Sequence, residues 1–228
     1  MLESSNLTTA AVADACVRLG ITPTVAPFEL KPVLFGTRIV GPALPVTHLG
    51  SVDVFLEVIE DAEPGSVLVI DNGGRRDEAC IGDLLTLEAK LANIAAIVVW
   101  GCHRDTRQLV EIALPVFSLG AYPLGPIRIP PAGVPMRSAI INAVAVRLGD
   151  IVVADDDGVI FVSAGDFADV AKTATSIIQI EQRQSKEMTR GRNLREQIQF
   201  SAYLERRAKN PGYSLRDHLK SIGGAIET

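Results

Sequence analysis

The chain has 228 residues and a mass of 24.3 kDa, enough for one domain with a sizeable core and short for two. With 47% hydrophobic and 21% charged residues and a mean hydropathy of +0.25, its composition excludes an intrinsically disordered chain. A formal charge of -5 and a pI near 5.3 disfavour nucleic acid as a partner, because phosphate binding needs a concentrated basic footprint. The longest apolar run, Ile94 to Trp100, is far below the roughly 18 residues that span a bilayer. No membrane partner is expected. Met1-Leu2-Glu3-Ser4 carries neither a basic nor an apolar export segment, so the expected location is cytoplasmic.

Cys16, Cys80 and Cys102 are odd in number and lack CxxC spacing, the pattern of buried reduced thiols rather than disulfides or structural zinc. Charge is unevenly spread: from Gln182 onward ten Lys/Arg face five Asp/Glu, against twelve and twenty-two before it. The basic tail reads either as a solvated helical arm or as an arm that docks on the acidic body of a neighbouring subunit.

In chain order, Thr8 or Thr9 caps a first helix that ends at Gly20. Ile39 to Thr47 has β-branched character interrupted by Gly41-Pro42, which predicts a strand pair or a bulged strand. Ser51 is expected to cap a helix to about Glu60. Ser66 to Asp71 predicts a buried central strand ending at Asn72-Gly73-Gly74. Gly82 opens a helix, and Ala95 to Trp100 is a second buried strand, so strand, helix and strand form a βαβ unit. Pro115 to Pro131 predicts a wandering surface segment. Ile140 to Val162 reads as strands joined by hairpin turns at Leu148-Gly149-Asp150 and Asp155-Asp156-Asp157-Gly158. Ser163 and Asp166 suggest a capping box for a helix to about Met188, and two helical fragments follow, broken at Asn210-Pro211-Gly212.

Ligands of α/β sheets collect at the carboxyl ends of strands. The loops Asp71-Asn72-Gly73-Gly74 and Gly101-Cys102-His103-Arg104-Asp105 are therefore expected to be neighbours. Gly82-Asp83-Leu84-Leu85 offers a helix N-terminus to an anion, and Arg104 a bidentate clamp for a carboxylate. Asp83 and Asp105 are oxygen donors, and without a His/Cys set they favour magnesium or manganese over zinc. On periodicity alone Asp83 reads equally as a first-turn acid that complements the helix dipole, and Arg104-Asp105 as a helix start.

Gly82-Asp83, twenty further residues and then Arg104-Asp105 resemble the D-x20-R-D signature of the RraA-like family, which includes the class II 4-hydroxy-4-methyl-2-oxoglutarate/4-carboxy-4-hydroxy-2-oxoadipate aldolases and the regulators of ribonuclease activity. Thr8 to Ala15, Gly41-Pro42-Ala43, Pro64 to Asp71, Pro115-Val116-Phe117 and Gly149 to Val159 resemble further family blocks in family order. The resemblance implies an α/β fold of the β/β/α swivelling-domain type over residues 1–190, with a helical arm at 191–228, assembled as a homotrimer or hexamer with active sites between subunits. It further implies that Asp105 binds the metal directly and Asp83 through water, while Arg104 and the amides from Gly82 to Leu85 hold a 2-oxo acid carboxylate. The metal would stabilise the enolate formed on cleavage. The expected activity is cleavage of a 4-hydroxy-2-oxo di- or tricarboxylic acid to pyruvate and an oxo acid, with oxaloacetate decarboxylation alongside. The alternatives are a non-enzymatic regulator that binds a ribonuclease, or a lyase for another small carboxylate.

The family pattern continues with an acidic residue where this chain has Gln108. Arg75-Arg76 is a candidate for binding a distal carboxylate, against two solvated loop arginines. The family also places a neighbour's carboxylate near the metal waters. Glu181 fits by periodicity, because it continues the apolar stripe of Phe167, Val170, Ala171, Ala174, Ile177 and Ile178; its rival role is a pairing with a tail arginine. His103 is a possible proton donor, while His48 and His218 have no evident context.

Overall fold

The structure, a computed structural model, describes residues 6–128 and 137–223. The start of the chain read for export signals, positions 129–131 of the Pro/Gly-rich stretch and the end of the arm at 224–228 lie outside them. Helix α1 (Thr9–Arg18) precedes two short strands, β1 (Thr24–Val25) and β2 (Lys31–Pro32), and the long strand β3 (Ile39–Thr47). Next come α2 (Asp53–Glu60), β4 (Val67–Ile81), α3 (Asp83–Leu91), β5 (Ala96–His103), α4 (Thr106–Ile112) and β6 (Val116–Ser118). The hairpin of β7 (Ala139–Ile141) and β8 (Val144–Val146) is followed by β9 (Ile151–Asp155) and β10 (Gly158–Val162). Helices α5 (Phe167–Thr189), α6 (Leu194–Gln197), α7 (Phe200–Lys209) and α8 (Leu215–Ile222) complete the chain. None of the described helices is long and apolar enough to cross a membrane.

Among the described residues eight strands form one mixed sheet in the order β1-β10-β9-β3-β4-β5-β6-β2. Strand β3 joins its two halves. Ile39 to Pro42 pair antiparallel with β9, and Ala43 to Thr47 pair parallel with β4. The Gly41-Pro42 interruption is thus a change of partner within one strand. Pro42 brings no amide to the ladder, and the β9 register ends at that residue.

Both faces of the sheet are covered, which is why its strands read as continuous apolar runs. Leu68, Ile70, Ile97 and Val99 point to the layer of α2, α3 and α4, while Val67, Val69, Ala96 and Val98 point to the opposite cluster with Phe117, Ile141 and Phe161. Each large side chain so buried contributes about 1.5–3 kcal/mol. Helices α1 and α5 cover the antiparallel half through Val12, Cys16, Val170, Ala174 and Ile177. Thr8 caps α1 by accepting a hydrogen bond from the Ala11 amide (3.2 Å).

Several local expectations change. Ser51 does not cap α2; the helix starts at Asp53, whose carboxylate receives the Ser51 hydroxyl. Strand β4 does not end at Asn72-Gly73-Gly74: Gly73 and Gly74 (φ +65° and +68°) form a bulge, and pairing with β5 resumes at Arg75 and runs on to Ile81. The stretch after Pro115 begins with a buried strand, β6. The first hairpin turns at Asn142 (φ +59°), not at Leu148-Gly149-Asp150, whose residues carry the chain from β8 to β9. The Asp155 to Gly158 turn is a hairpin as expected, and the Asp155 carboxylate accepts from the Thr9 hydroxyl (2.6 Å) and amide (2.9 Å). The described part of the arm holds three helices rather than two, around Ile198, Tyr203, His218 and Leu219.

Gly41 lies where β3 passes the turn before β4, and a Cβ there would run into the Gly65 carbonyl oxygen and approach Val67 Cγ2 at 3.2 Å. Gly41→Ala is expected to lower the unfolding free energy by about 1–3 kcal/mol, measured by urea denaturation; an unchanged midpoint would show that the turn yields freely.

Candidate active site

The parallel strands β4 and β5 are neighbours, and each delivers a loop at its carboxyl end. Ile81 opposes His103 in the register, and the Arg104 amide donates to the Ile81 carbonyl (3.0 Å). Gly82-Asp83 and Arg104-Asp105 therefore meet. The earlier glycine loop, Asn72 to Gly74, is a bulge within β4 and is not the first wall of the site.

Gly82 precedes α3 and has no room for a side chain. A Cβ there would lie 2.5 Å from Asp105 Oδ2 and 3.2 Å from Arg104 Nε. Through that gap the Asp83 amide donates to Asp105 Oδ2 (3.3 Å), while the Leu84 amide donates to Asp83 Oδ1 (2.7 Å). Two first-turn amides of α3 thus face carboxylates, in keeping with the affinity of a helix N-terminus for anions. Leu84 is exposed and Leu85 buried. Asp105 adopts a left-handed backbone (φ 58°, ψ 38°) at the head of α4, a conformation that costs a non-glycine residue about 1 kcal/mol or more. Arg104 Nε lies 3.5 Å from Asp105 Oδ2, and half of the arginine side chain is exposed. Gly125 gives the guanidinium its space on the other side, since a Cβ there would be 2.8 Å from Nη1.

This group borders a cleft of about 420 Å³ whose lining includes Gly82, Asp83, Leu84, Leu85 and Arg104. Val52, Leu56, Glu88 and Pro126 also line it; Glu88 comes from α3 with Asp83, while no sequence spacing links Val52, Leu56 and Pro126 to the Asp-Arg-Asp set. Gln108 lies on α4 and lines the adjoining groove with Asp83. Among the described residues no group of three or more His, Cys, Asp or Glu side chains is placed to hold a metal. A cation here would rest on two half-exposed carboxylates and take its remaining ligands from elsewhere. An oxygen-only set of that size fits a hard, well-hydrated cation such as magnesium.

Other candidates separate from the pair. Glu181 is exposed on α5 beyond Ile178, so it does not continue the buried stripe of Val170, Ala171, Ala174 and Ile177. His103 is buried, with Nδ1 bonded to Ser118 Oγ (2.7 Å) and Nε2 to Thr106 Oγ1 (3.0 Å). Burial holds its pKa below the ordinary histidine value against the pull of Asp105. Both ring nitrogens are thus taken up by hydroxyls of the chain, which brace the loop. Arg75 is engaged by Asp77 (2.8 Å) and Glu78 (3.5 Å), and Arg76 by Glu29 (3.8 Å). The three cysteines are free and buried, and burial raises each thiol pKa.

Fold and site together define a mixed α/β protein of the RraA type, with a carboxylate pair and a guanidinium at adjacent parallel strand ends. The family model described as Aldolase/RraA matches residues 9–161. Protein DlpA of Legionella pneumophila is 32% identical over 185 residues, which cover 78% of this chain but only 30% of that protein. A Halalkalibacterium halodurans protein named "Putative 4-hydroxy-4-methyl-2-oxoglutarate aldolase" is 30% identical over 187 residues, covering 78% of this chain and 82% of its own length. Among solved structures, an uncharacterized protein from Pseudomonas syringae superposes with a TM-score of 0.76 at 28% identity, covering 86% of this chain and 94% of that one. Streptomyces coelicolor RraAS2, described as an unusual member of the RNase ES inhibitor RraA protein family, superposes with a TM-score of 0.69 at 25% identity, covering 83% and 94%. The chain belongs to the RraA-like family.

A buried polar network behind the site escaped the sequence reading. Arg128 donates to both oxygens of Glu78 (3.1 and 2.5 Å) and to Asn72 Oδ1 (3.1 Å), and His48 Nδ1 lies 2.8 Å from the same Asn72 oxygen. Because that oxygen already accepts from arginine, Nδ1 of His48 carries its proton. His48 stacks on Phe55 with ring centroids 5.1 Å apart. Burial lowers its pKa despite the Asn72 bond and the nearby Glu78. For Glu78 burial is the largest influence and raises the pKa, but the Arg128 bond with the charges of Arg128 and Arg75 outweighs it, leaving the carboxyl below the ordinary value.

Both groups have folded-state pKa values below their unfolded ones, so the stability they confer is present above the unfolded pKa and lost as the pH falls. Stability is therefore expected to decline below about pH 6.5 through His48 and to fall again below about pH 4.3 through Glu78. Glu78→Gln should cost about 1–3 kcal/mol at pH 7 and flatten the lower limb of a pH series of urea unfolding curves. An unaltered limb would contradict this account.

Proposed function

We propose that the protein is a divalent-metal-dependent lyase of the aldolase type, which cleaves a 4-hydroxy-2-oxo acid to pyruvate and a second carbonyl compound and decarboxylates oxaloacetate as a side activity. The observation that carries this reading is the meeting of Asp83, Asp105 and the Arg104 guanidinium over one helix N-terminus beside a cleft. Relatives named for 4-hydroxy-4-methyl-2-oxoglutarate cleavage support it. Asp105 directly, and Asp83 through water, would hold magnesium or manganese, which when bound supplies Lewis-acid polarisation of the 2-oxo oxygen. Assembly as a homotrimer or hexamer, with the partner subunit's Glu181 reaching the water shell, belongs to the same proposal.

The remaining steps are those of the chain's own groups. Arg104, flanked by Gly82 and Gly125, offers two parallel donors to the substrate's C1 carboxylate. The first-turn amides of α3, which face the Asp83 and Asp105 carboxylates, would lie beside that carboxylate as well. In the cleavage, the C4 hydroxyl would lose its proton to solvent water as C4 becomes a carbonyl. The electron pair of the C3–C4 bond moves to C3 as the enolate of pyruvate, and water then protonates C3. Apolar walls at Val52, Leu56 and Pro126 limit water around the developing charge.

A second reading rests on the likeness to RraAS2: a non-enzymatic protein that binds a ribonuclease. Ribonuclease capture by the purified chain, without metal-dependent pyruvate release, would favour it.

Pyruvate release from a panel of 4-hydroxy-2-oxo acids, coupled to lactate dehydrogenase, is expected to stop with EDTA and return with magnesium. Asp105→Ala should bring it to background with the melting temperature retained, and Arg104→Ala should lower kcat/KM by about 100- to 1000-fold. Release that persists in EDTA, or in Asp105→Ala, would move the chemistry elsewhere; none from any member of the panel would end the lyase reading.

A further inference from the structure

A stretch of chain without regular secondary structure, Leu124 to Arg128, runs past Arg104 between β6 and the β7–β8 hairpin. Gly125 lies against the guanidinium, since a Cβ there would fall 2.8 Å from Nη1. Pro126 has no amide to donate, and Ile127 is 80% exposed, so neither is there to hold the middle of the stretch. Its two ends are anchored instead. The Leu124 carbonyl accepts from the Ala79 amide of β4 (2.7 Å), and Arg128 donates through Nε and Nη2 to the two carboxylate oxygens of Glu78, with Nη2 also bonded to Asn72 Oδ1. Gly50 (φ +116°) fits against the same arginine's backbone, where a Cβ would lie 2.9 Å from the Arg128 carbonyl oxygen. Glu78 is 3% exposed, and among the described residues that line the cleft neither Glu78 nor Arg128 is found. Whatever they do for the site passes through other residues.

From this we infer that Glu78 is a positioning residue for the arginine that takes the substrate: its two-point hold on Arg128 fixes Gly125, and Gly125 sets where the Arg104 guanidinium can stand. The inference rests on the lyase reading, in which Arg104 binds the C1 carboxylate. The relay runs within one chain and is independent of what a neighbouring subunit adds to the site. A guanidinium fork meets two carboxylate oxygens over a narrow range of angles. With Gly125 free to drift, the fork has to be ordered when the carboxylate arrives, and that ordering weakens binding. The loss is shared by the bound substrate and the transition state, so it falls on KM and leaves kcat in place. A side chain that only supported the fold would lower stability without that division.

The test measures pyruvate affinity of the magnesium-supplemented full chain by calorimetry, beside KM and kcat for the best substrate of the 4-hydroxy-2-oxo acid panel. Glu78→Gln keeps the shape of the side chain but turns one acceptor into a donor. It is expected to raise the pyruvate Kd and the KM by about 3- to 10-fold, with kcat held within about 2-fold. Arg128→Lys, which offers Glu78 a point charge in place of a fork, is the second variant should the first not fold, with the same expectation. In an Arg104→Lys background no fork faces Gly125, and there Glu78→Gln is expected to change the pyruvate Kd by less than about 2-fold. A Kd and KM that neither variant moves, a loss that falls on kcat instead, or an equal loss in the Arg104→Lys background would overturn the inference and leave the lyase reading standing. No pyruvate release by the wild-type protein from any member of the panel would remove both.

Discussion

The candidate site depends on a missing methyl group. At Gly82 the chain passes so close to Asp105 and Arg104 that any Cβ would occupy the space of the carboxylate oxygen. The aspartate can therefore sit over the first amide of α3, and the guanidinium can lie beside it between two glycines. Asp105 completes the arrangement in a left-handed conformation that aspartate tolerates better than most residues. Close backbone approach and local strain coincide at the residues that carry the proposed chemistry, where departures from local preference are expected to gather.

The sheet brings that pair of loops together. Strand β4 has to run past the Gly73-Gly74 bulge and through shifts of register before Ile81 stands opposite His103. Gly74 permits the detour, since Trp100 packs where its side chain would be, with Nε1 2.8 Å from the Cβ position. Behind the bulge, Arg128, Glu78, Asn72 and His48 tie the re-paired part of β4 to the segment that carries Gly125 and Pro126 past Arg104. The network is charged and largely buried, with Arg128 a third exposed, so its worth lies less in net stability than in holding one arrangement of loops.

Charge divides the molecule into regions of different character. Among the described residues a single arginine stands in a cleft of apolar and acidic walls, and Arg75 and Arg128 near β4 are held by carboxylates. The basic arm folds around its own small core, with Arg206 and Arg207 over the rings of Tyr213 and Tyr203. The arm's cations thus partly serve its own aromatic cluster. The cleft and the arm have separate electrostatic roles within the chain.

Much of this was legible in the sequence. The alternating cores of β4 and β5, the βαβ unit, the capped α1 and the Asp155 to Gly158 turn follow from local propensity and from spacing along a strand-helix-strand unit. Those signals are carried by near neighbours in the chain. The loop expected beside Arg104-Asp105, in contrast, was Asn72 to Gly74, and the structure puts Gly82-Asp83 there. The switch of β3 from one partner to another, the bulge that keeps β4 running, the exposure of Glu181, the pairing of Arg75 and Arg76, and the walls of the cleft were decided by tertiary structure alone. Each depends on which distant backbone or side chain fills a given volume, and residues as far apart as Leu56, Glu88 and Pro126 have no common period along the chain to reveal that they share one space.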